Sequence, residues 1–137
     1  MIQNDSVLDD LKNDWKGIDK LLSIVKGTSY VLPSGDIFQE NEKWQSYNIP
    51  FLLSYVVLDN VLSAFHGQGN FTCKEKRTLN NLMEASRPHI PWRNFDTINK
   101  GRLARNELAH EAVLLSKEEC IRFIEAIRLE LVGWSIL

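Results

Sequence analysis

The chain has 137 residues, 44% of them apolar and 25% charged, the composition of one globular domain with enough apolar material for its own core. A net charge of −2 excludes a polycation that gathers nucleic acid through a global field. Cys73 and Cys120 stand far apart with no Cys-x-x-Cys or Cys/His cluster, so no metal or other cofactor is expected, and without a signal peptide the chain reads as a cytoplasmic protein with reduced thiols.

The first segment is predicted helical. Leu8, Leu11, Trp15, Ile18, Leu22 and Val25 recur in steps of three and four, while Asp9, Asp10, Lys12, Asp14 and Lys16 fall elsewhere. Asp5 or Ser6 is the expected cap and Gly27 the expected stop. Residues 27–46 lack helical period. Tyr30–Leu32 and Ile37–Phe38 around Pro33-Ser34-Gly35-Asp36 allow a small hairpin, and a loop fits equally. Asp36, Glu40 and Glu42 make this region a poor phosphate binder.

A second helix, from Glu42 or Ile49 to Phe65, takes Pro50 in its first turn and is apolar over most of its circumference. It is expected to be the central helix. Its apolar run contains Ser54, Asp59, Asn60 and Ser63 and is too short to span a bilayer comfortably, so no membrane is expected. A carboxylate such as Asp59 in such a helix is costly unless paired or facing solvent, a gap or a subunit boundary. Arg105 or His110 would be its partner.

Thr72 and Glu75 read as a capping box opening a third helix to about Ser86, with Leu79, Leu82 and Met83 on its apolar side and Lys74, Lys76 and Arg77 on its basic side. His89-Ile90-Pro91-Trp92 is a stiff linker, and His89 is an isolated loop histidine. A fourth helix is expected from an Asp96 cap, carrying Ile98, Leu103, Leu108 and Ala109. Gly101 in its body marks either close helix packing or close approach by a ligand. Ser116 and Glu119 form another capping box. The last helix then aligns Cys120, Ile124, Ile127, Leu131 and Trp134, and Ile121, Phe123 and Leu129 widen its apolar surface enough to bury a partner subunit.

The charge is unevenly placed. Residues 1–73 carry five Lys/Arg against nine Asp/Glu, whereas residues 74–110 carry eight against four. The basic excess ends on Arg105-Asn106-Glu107-Leu108-Ala109-His110, preceded by Lys100 and Arg102. Asn106 and His110, four apart, share a helix face. Arg105 and His110, five apart, lie about 140° apart on an ideal helix. Three routes bring them together: the reach of the arginine, a loosened last helical turn, or two copies of the helix meeting at a two-fold axis. A histidine moves protons near neutral pH, and an arginine holds two oxygens of a phosphate or of its crowded transition state. That pair suits metal-free cleavage of RNA, with the 2′-hydroxyl as internal nucleophile.

The R-N-x-L-A-H pattern, on the penultimate helix of an all-helical chain and just before a long last helix, resembles the signature of the HEPN family (higher eukaryotes and prokaryotes nucleotide-binding). The resemblance is specific over residues 98–115 and architectural elsewhere. It implies an all-α, four-helix up-down bundle spanning residues 1–137, paired through the motif-bearing region. It also implies Arg105 and His110 as catalytic positions with Asn106 as the polar partner beside the arginine. Arg102, Lys100 and Asp59 are the expected substrate-binding neighbours, RNA the substrate, a homodimer the working form. Members include toxins and antiphage nucleases, and others are noncatalytic modules that bind a nucleotide or an antitoxin-like protein partner. Glu107 and Glu111 beside the site, and the lack of an aromatic shortly after the histidine, depart from the family pattern. A purely structural reading makes His110 a helix-end cation and Arg105 a surface ion-pair former. No Gly-rich phosphate loop, nucleophile elbow or His-x-x-x-His pair points to another enzyme class.

Overall fold

The computed structural model describes residues 1–27, 29–39 and 42–137. Helix α1 (Asp5–Lys26) is capped by Asn4, whose side chain accepts the N–H groups of Ser6 and Val7. The cap thus lies one residue before the expected Asp5 or Ser6, and Asp5 sits in the first turn, where its charge suits the positive helix end. Leu11, Trp15 and Ile18 are buried and Leu8, Leu22 and Val25 half-buried, so the spaced apolar stripe is the packed face. Gly27 closes the helix at φ 78°, a left-handed conformation that costs glycine little.

Of the two forms open to residues 27–46, the hairpin is the one adopted. Strands β1 (Ser29–Val31) and β2 (Ile37–Gln39) pair antiparallel with Tyr30 opposite Phe38, and Gly35 (φ 88°) turns the chain between them. Thr28, Glu40 and Asn41 lie outside the described residues, and with them part of the acidic reading of this segment. A single 3-10 turn, Trp44–Tyr47, then runs directly into α2 (Asn48–Gly67).

Helix α2 is the central element. Phe51, Ser54, Tyr55, Leu58, Val61 and Leu62 are fully buried, and the helix packs against α1, the short third helix and the last helix. The stretch Trp44–Gly67 is long and apolar enough by composition to cross a bilayer, yet half of it is buried inside this bundle.

The third helix starts later than its sequence suggests. Thr72 and Glu75 form no cap. Phe71 is buried against the His66 ring, and the chain after it runs irregularly until Thr78, whose hydroxyl accepts the Asn81 N–H at 3.2 Å and opens α3 (Leu79–Ser86). Core anchoring of Phe71 overrides the local capping signal. Leu79, Leu82 and Met83 are buried as expected, but Lys74, Lys76 and Arg77 are exposed on the approach to α3 rather than on its face.

Helix α4 (Phe95–Glu111) is likewise not capped where expected. Asp96 is exposed in its first turn, and Asn94, at the cap position, makes no side-chain cap bond. The chain entering α4 is held from another helix instead: Glu130 of α5 (Lys117–Gly133) is fully buried, and its Oε1 accepts the backbone N–H groups of Arg93, at 2.6 Å, and Asn94, the two residues just before the first turn. The Ser116–Glu119 capping box opens α5 as predicted, and Cys120, Ile124, Ile127, Leu131 and Trp134 are all buried. Phe123 joins the core, leaving Ile121 and Leu129 exposed on the outer side of α5. The fold is therefore all-α, four long helices with a short α3 and a small hairpin, around one apolar cluster.

Gly101 resolves into a packing position. A Cβ there would lie 1.9 Å from the Tyr55 hydroxyl and 2.8 Å from the Phe123 ring. Gly101→Ala is expected to lower unfolding free energy by about 1–3 kcal/mol in denaturant titrations, despite the better helix propensity of alanine. Adding Tyr55→Phe should recover part of that loss.

Candidate functional site on helix α4

The position of α4 is set by one buried phenol. Ile98, Gly101 and Arg105, spaced three and four apart, all meet Tyr55 of α2. The Tyr55 hydroxyl donates to the Ile98 carbonyl at 2.7 Å, Gly101 leaves room for it, and the Arg105 guanidinium lies 6.0 Å from the ring centroid. Burial pushes the Tyr55 hydroxyl well above its ordinary pKa, against the pull of Arg105 and Arg102, so it remains a neutral donor.

Arg105 is consequently a half-buried cation. Desolvation draws its pKa down, Asp59 acts against that, and the like charge of Arg102 adds to it. Its Nη2 donates to the Asn106 side-chain oxygen at 3.2 Å, which couples the two adjacent polar residues. Asp59 approaches as a charge rather than as a hydrogen-bonded partner: no ion pair joins it to Arg105 or His110 among the described residues, and its Oδ1 accepts the Ser63 hydroxyl at 3.4 Å. Arg102 repeats the arginine–asparagine theme one turn earlier, its Nε donating to Asn99 at 2.9 Å. Lys100 is exposed.

His110 is exposed in the last turn of α4 and makes no hydrogen bond or ion pair with the described residues. The helix stays regular through Glu111 and ends only at Ala112, which takes a left-handed φ of 55°. The last turn does not loosen before the histidine, so that route to Arg105 is closed. With Arg105 on the side that meets α2, a separation of about 140° puts His110 toward the opposite, outer side. Within one chain, the structure joins Arg105 to Asn106 and leaves His110 apart.

The end of α4 is fixed by a residue whose role the sequence hid. Asn48, at the start of α2, is buried. Its Oδ1 accepts the Leu115 N–H at 2.9 Å, and its Nδ2 donates to the Leu115 and Gln45 carbonyls at 3.0 Å. This amide clamps the α4–α5 connection to the amino-terminal end of α2. Tyr55, Asn48 and Glu130 all escaped sequence reading because each looks locally like an ordinary helix residue. Only the mid-helix glycine at 101 gave a usable signal, by requiring a close neighbour. Among the described residues no cluster of three or more His, Cys, Asp or Glu is placed to hold a metal ion. Comparison with family models, with curated proteins and with solved structures finds no match to this chain.

Asn48→Ala leaves the Leu115 N–H and carbonyl buried without partners. We expect a loss of about 2–4 kcal/mol in unfolding free energy. Native-state hydrogen exchange should accelerate most at the Leu115 amide; unchanged protection there would refute the clamp.

Proposed function

We propose that this protein is a metal-independent endoribonuclease of HEPN type, working as a homodimer in which Arg105 and Asn106 of one copy and His110 of the other line a common groove. The observation that carries the proposal is the coupled Arg105–Asn106 pair on a helix that, one turn on, presents toward its outer side a His110 with no partner among the described residues. A second copy related by a two-fold axis supplies the missing half. The surface around the motif supports this. Leu103, Val113 and Leu114 are about half exposed on α4 and just beyond it, and Ile49 is exposed beside the Asn48–Leu115 clamp. Leu53 and Val56, exposed farther along α2, border a separate groove against α1. Exposed apolar side chains beside a polar motif are the kind of surface a second copy can cover.

In the proposed reaction, imidazole of His110 takes the proton from a 2′-hydroxyl or gives one to the leaving 5′-oxygen. Arg105, with Asn106 bound to its fork, neutralises the oxygens of the pentacoordinate phosphorane. The products are a 2′,3′-cyclic phosphate and a free 5′-hydroxyl. Arg102 and Lys100 add cations for flanking phosphates, while Asp59 maintains the charge of Arg105.

RNA should be cut in the presence of EDTA, with Arg105→Ala and His110→Ala each slowing cleavage about a hundredfold or more. RNA carrying a 2′-deoxy sugar at the scissile position should resist. Mixing the two inactive variants should restore activity, because one of the two grooves in a mixed dimer then holds both wild-type groups. Cleavage that survives His110→Ala sinks the assignment. Wild-type protein that cuts no RNA but binds a nucleotide or a protein partner favours the noncatalytic HEPN module.

A further inference from the structure

Helix α4 carries a polar stripe that extends well beyond the motif. Asn99, Arg102, Asn106 and His110 recur in steps of three and four, which keeps them within about 80° of one another around the helix. Two arginine–asparagine hydrogen bonds, Arg102 to Asn99 and Arg105 to Asn106, follow each other along it. In each, the amide oxygen takes one guanidinium N–H and leaves the remaining donors of the fork for another acceptor.

Before its amino-terminal end, on the first turn of α4 and the linker ahead of it, lies a cavity of about 630 Å³ lined by Arg87 and residues 90–97. Two arginines border it. The Arg87 guanidinium stacks 4.1 Å from the Phe95 ring centroid while its side chain remains 51% exposed, so one face of the cation is covered and the other is open. Arg93 is exposed, with its guanidinium against Gly133 of α5 and its backbone N–H fixed by Glu130. The Arg93 and Asn94 N–H groups are already used, so the donors available here are the guanidines. One carboxylate competes: Asp96, 88% exposed, lies 3.7 Å from Arg87, a solvent-screened pair that is easily displaced.

We propose that this cavity is a nucleotide subsite distant from the scissile bond, taking a base on the open face of Arg87 and a phosphate on Arg93, with the strand laid along Asn99 and Arg102. The proposal rests on the ribonuclease reading for the identity of its ligand, single-stranded RNA. Stacking of unpaired bases on arginine planes is a general mode of single-strand recognition. From Phe95 to Arg105, the arginine this copy gives to the groove, the helix rises about 15 Å. At about 3.4 Å per nucleotide of stacked strand, that is four or five nucleotides on one side of the scissile bond. The subsite therefore serves long substrates and is out of reach of short ones.

The test is fluorescence anisotropy with a labelled twelve-nucleotide single-stranded RNA, using His110→Ala protein so that the probe survives. Arg87→Ala/Arg93→Ala in that background should weaken binding about tenfold or more and flatten the salt dependence by about one to two phosphate contacts. Asp96→Asn should tighten binding. Arg87→Lys keeps the charge without the plane and should recover the salt slope but not the affinity. Thermal melts establish that each variant is folded. In otherwise wild-type protein, the double variant should cut a four-nucleotide RNA at the normal rate while losing efficiency on the twelve-nucleotide one. Unchanged binding in the folded double variant, or no binding of this RNA by the parent protein, overturns the subsite. Binding that depends on Arg87 and Arg93 in a protein that cuts nothing upholds the subsite and removes the nuclease reading.

Discussion

The contact between Tyr55 and α4 is the constraint on which the rest of the molecule depends. A buried phenol hydroxyl must find a partner, and the Ile98 carbonyl provides it. Together with the Phe123 ring of α5, that hydroxyl crowds the α4 backbone so closely that only glycine fits at position 101. With Ile98 and Gly101 committed inward, helical geometry fixes every later side chain on α4. Arg105 must lie over the same ring, and His110, five residues on, must turn away from it. The phenol thus decides which motif residue is half-buried and which is presented outward.

Two further buried polar groups hold the ends of that helix. Glu130 pins the two residues leading into it, and Asn48 ties down the connection beyond its end. Both act between elements distant in sequence, and both satisfy backbone groups that would otherwise be buried unpaired. One Glu130 oxygen remains without a partner in the described residues, so this hold is bought at the expense of an unsatisfied buried acceptor. The result is a helix held at its start, middle and end, a suitable scaffold for side chains that must be placed accurately.

This rigidity limits how the motif residues can meet. A flexible helix end would let one chain bring arginine and histidine together; a regular one held at Leu115 does not. α4 holds the Arg105–Asn106 pair toward α2 and His110 on a different side, with Leu103, Val113 and Leu114 exposed nearby, and it is the proposed dimer that would bring the two together. The electrostatics follow the same division. The acidic amino-terminal half forms α1, the hairpin and the central helix, while the exposed cations of residues 74–102 lie on the approach to α3, the linker and α4. They make a local basic excess although the whole chain is slightly acidic.

The sequence by itself determined the all-α class, the packed stripes of α1 and α5, the capping box at Ser116, the central role of α2 and the placement of Arg105, Asn106 and His110 on one helix. These are properties of spacing and of short-range hydrogen bonding, which a linear pattern records. Tertiary structure alone decided where α3 begins, because Phe71 was pulled into the core, and how the entry to α4 is held, because Glu130 binds the Asn94 N–H from 36 residues away, whereas the Asn4 cap of α1 is a local bond that competed successfully with its neighbours. It also decided that Gly101 serves packing and that Asp59 meets Arg105 as a field rather than as an ion pair. Burial of a polar group, and the partner that makes it tolerable, depend on which elements come together in space, and that information is spread over the whole chain rather than held in any one stretch.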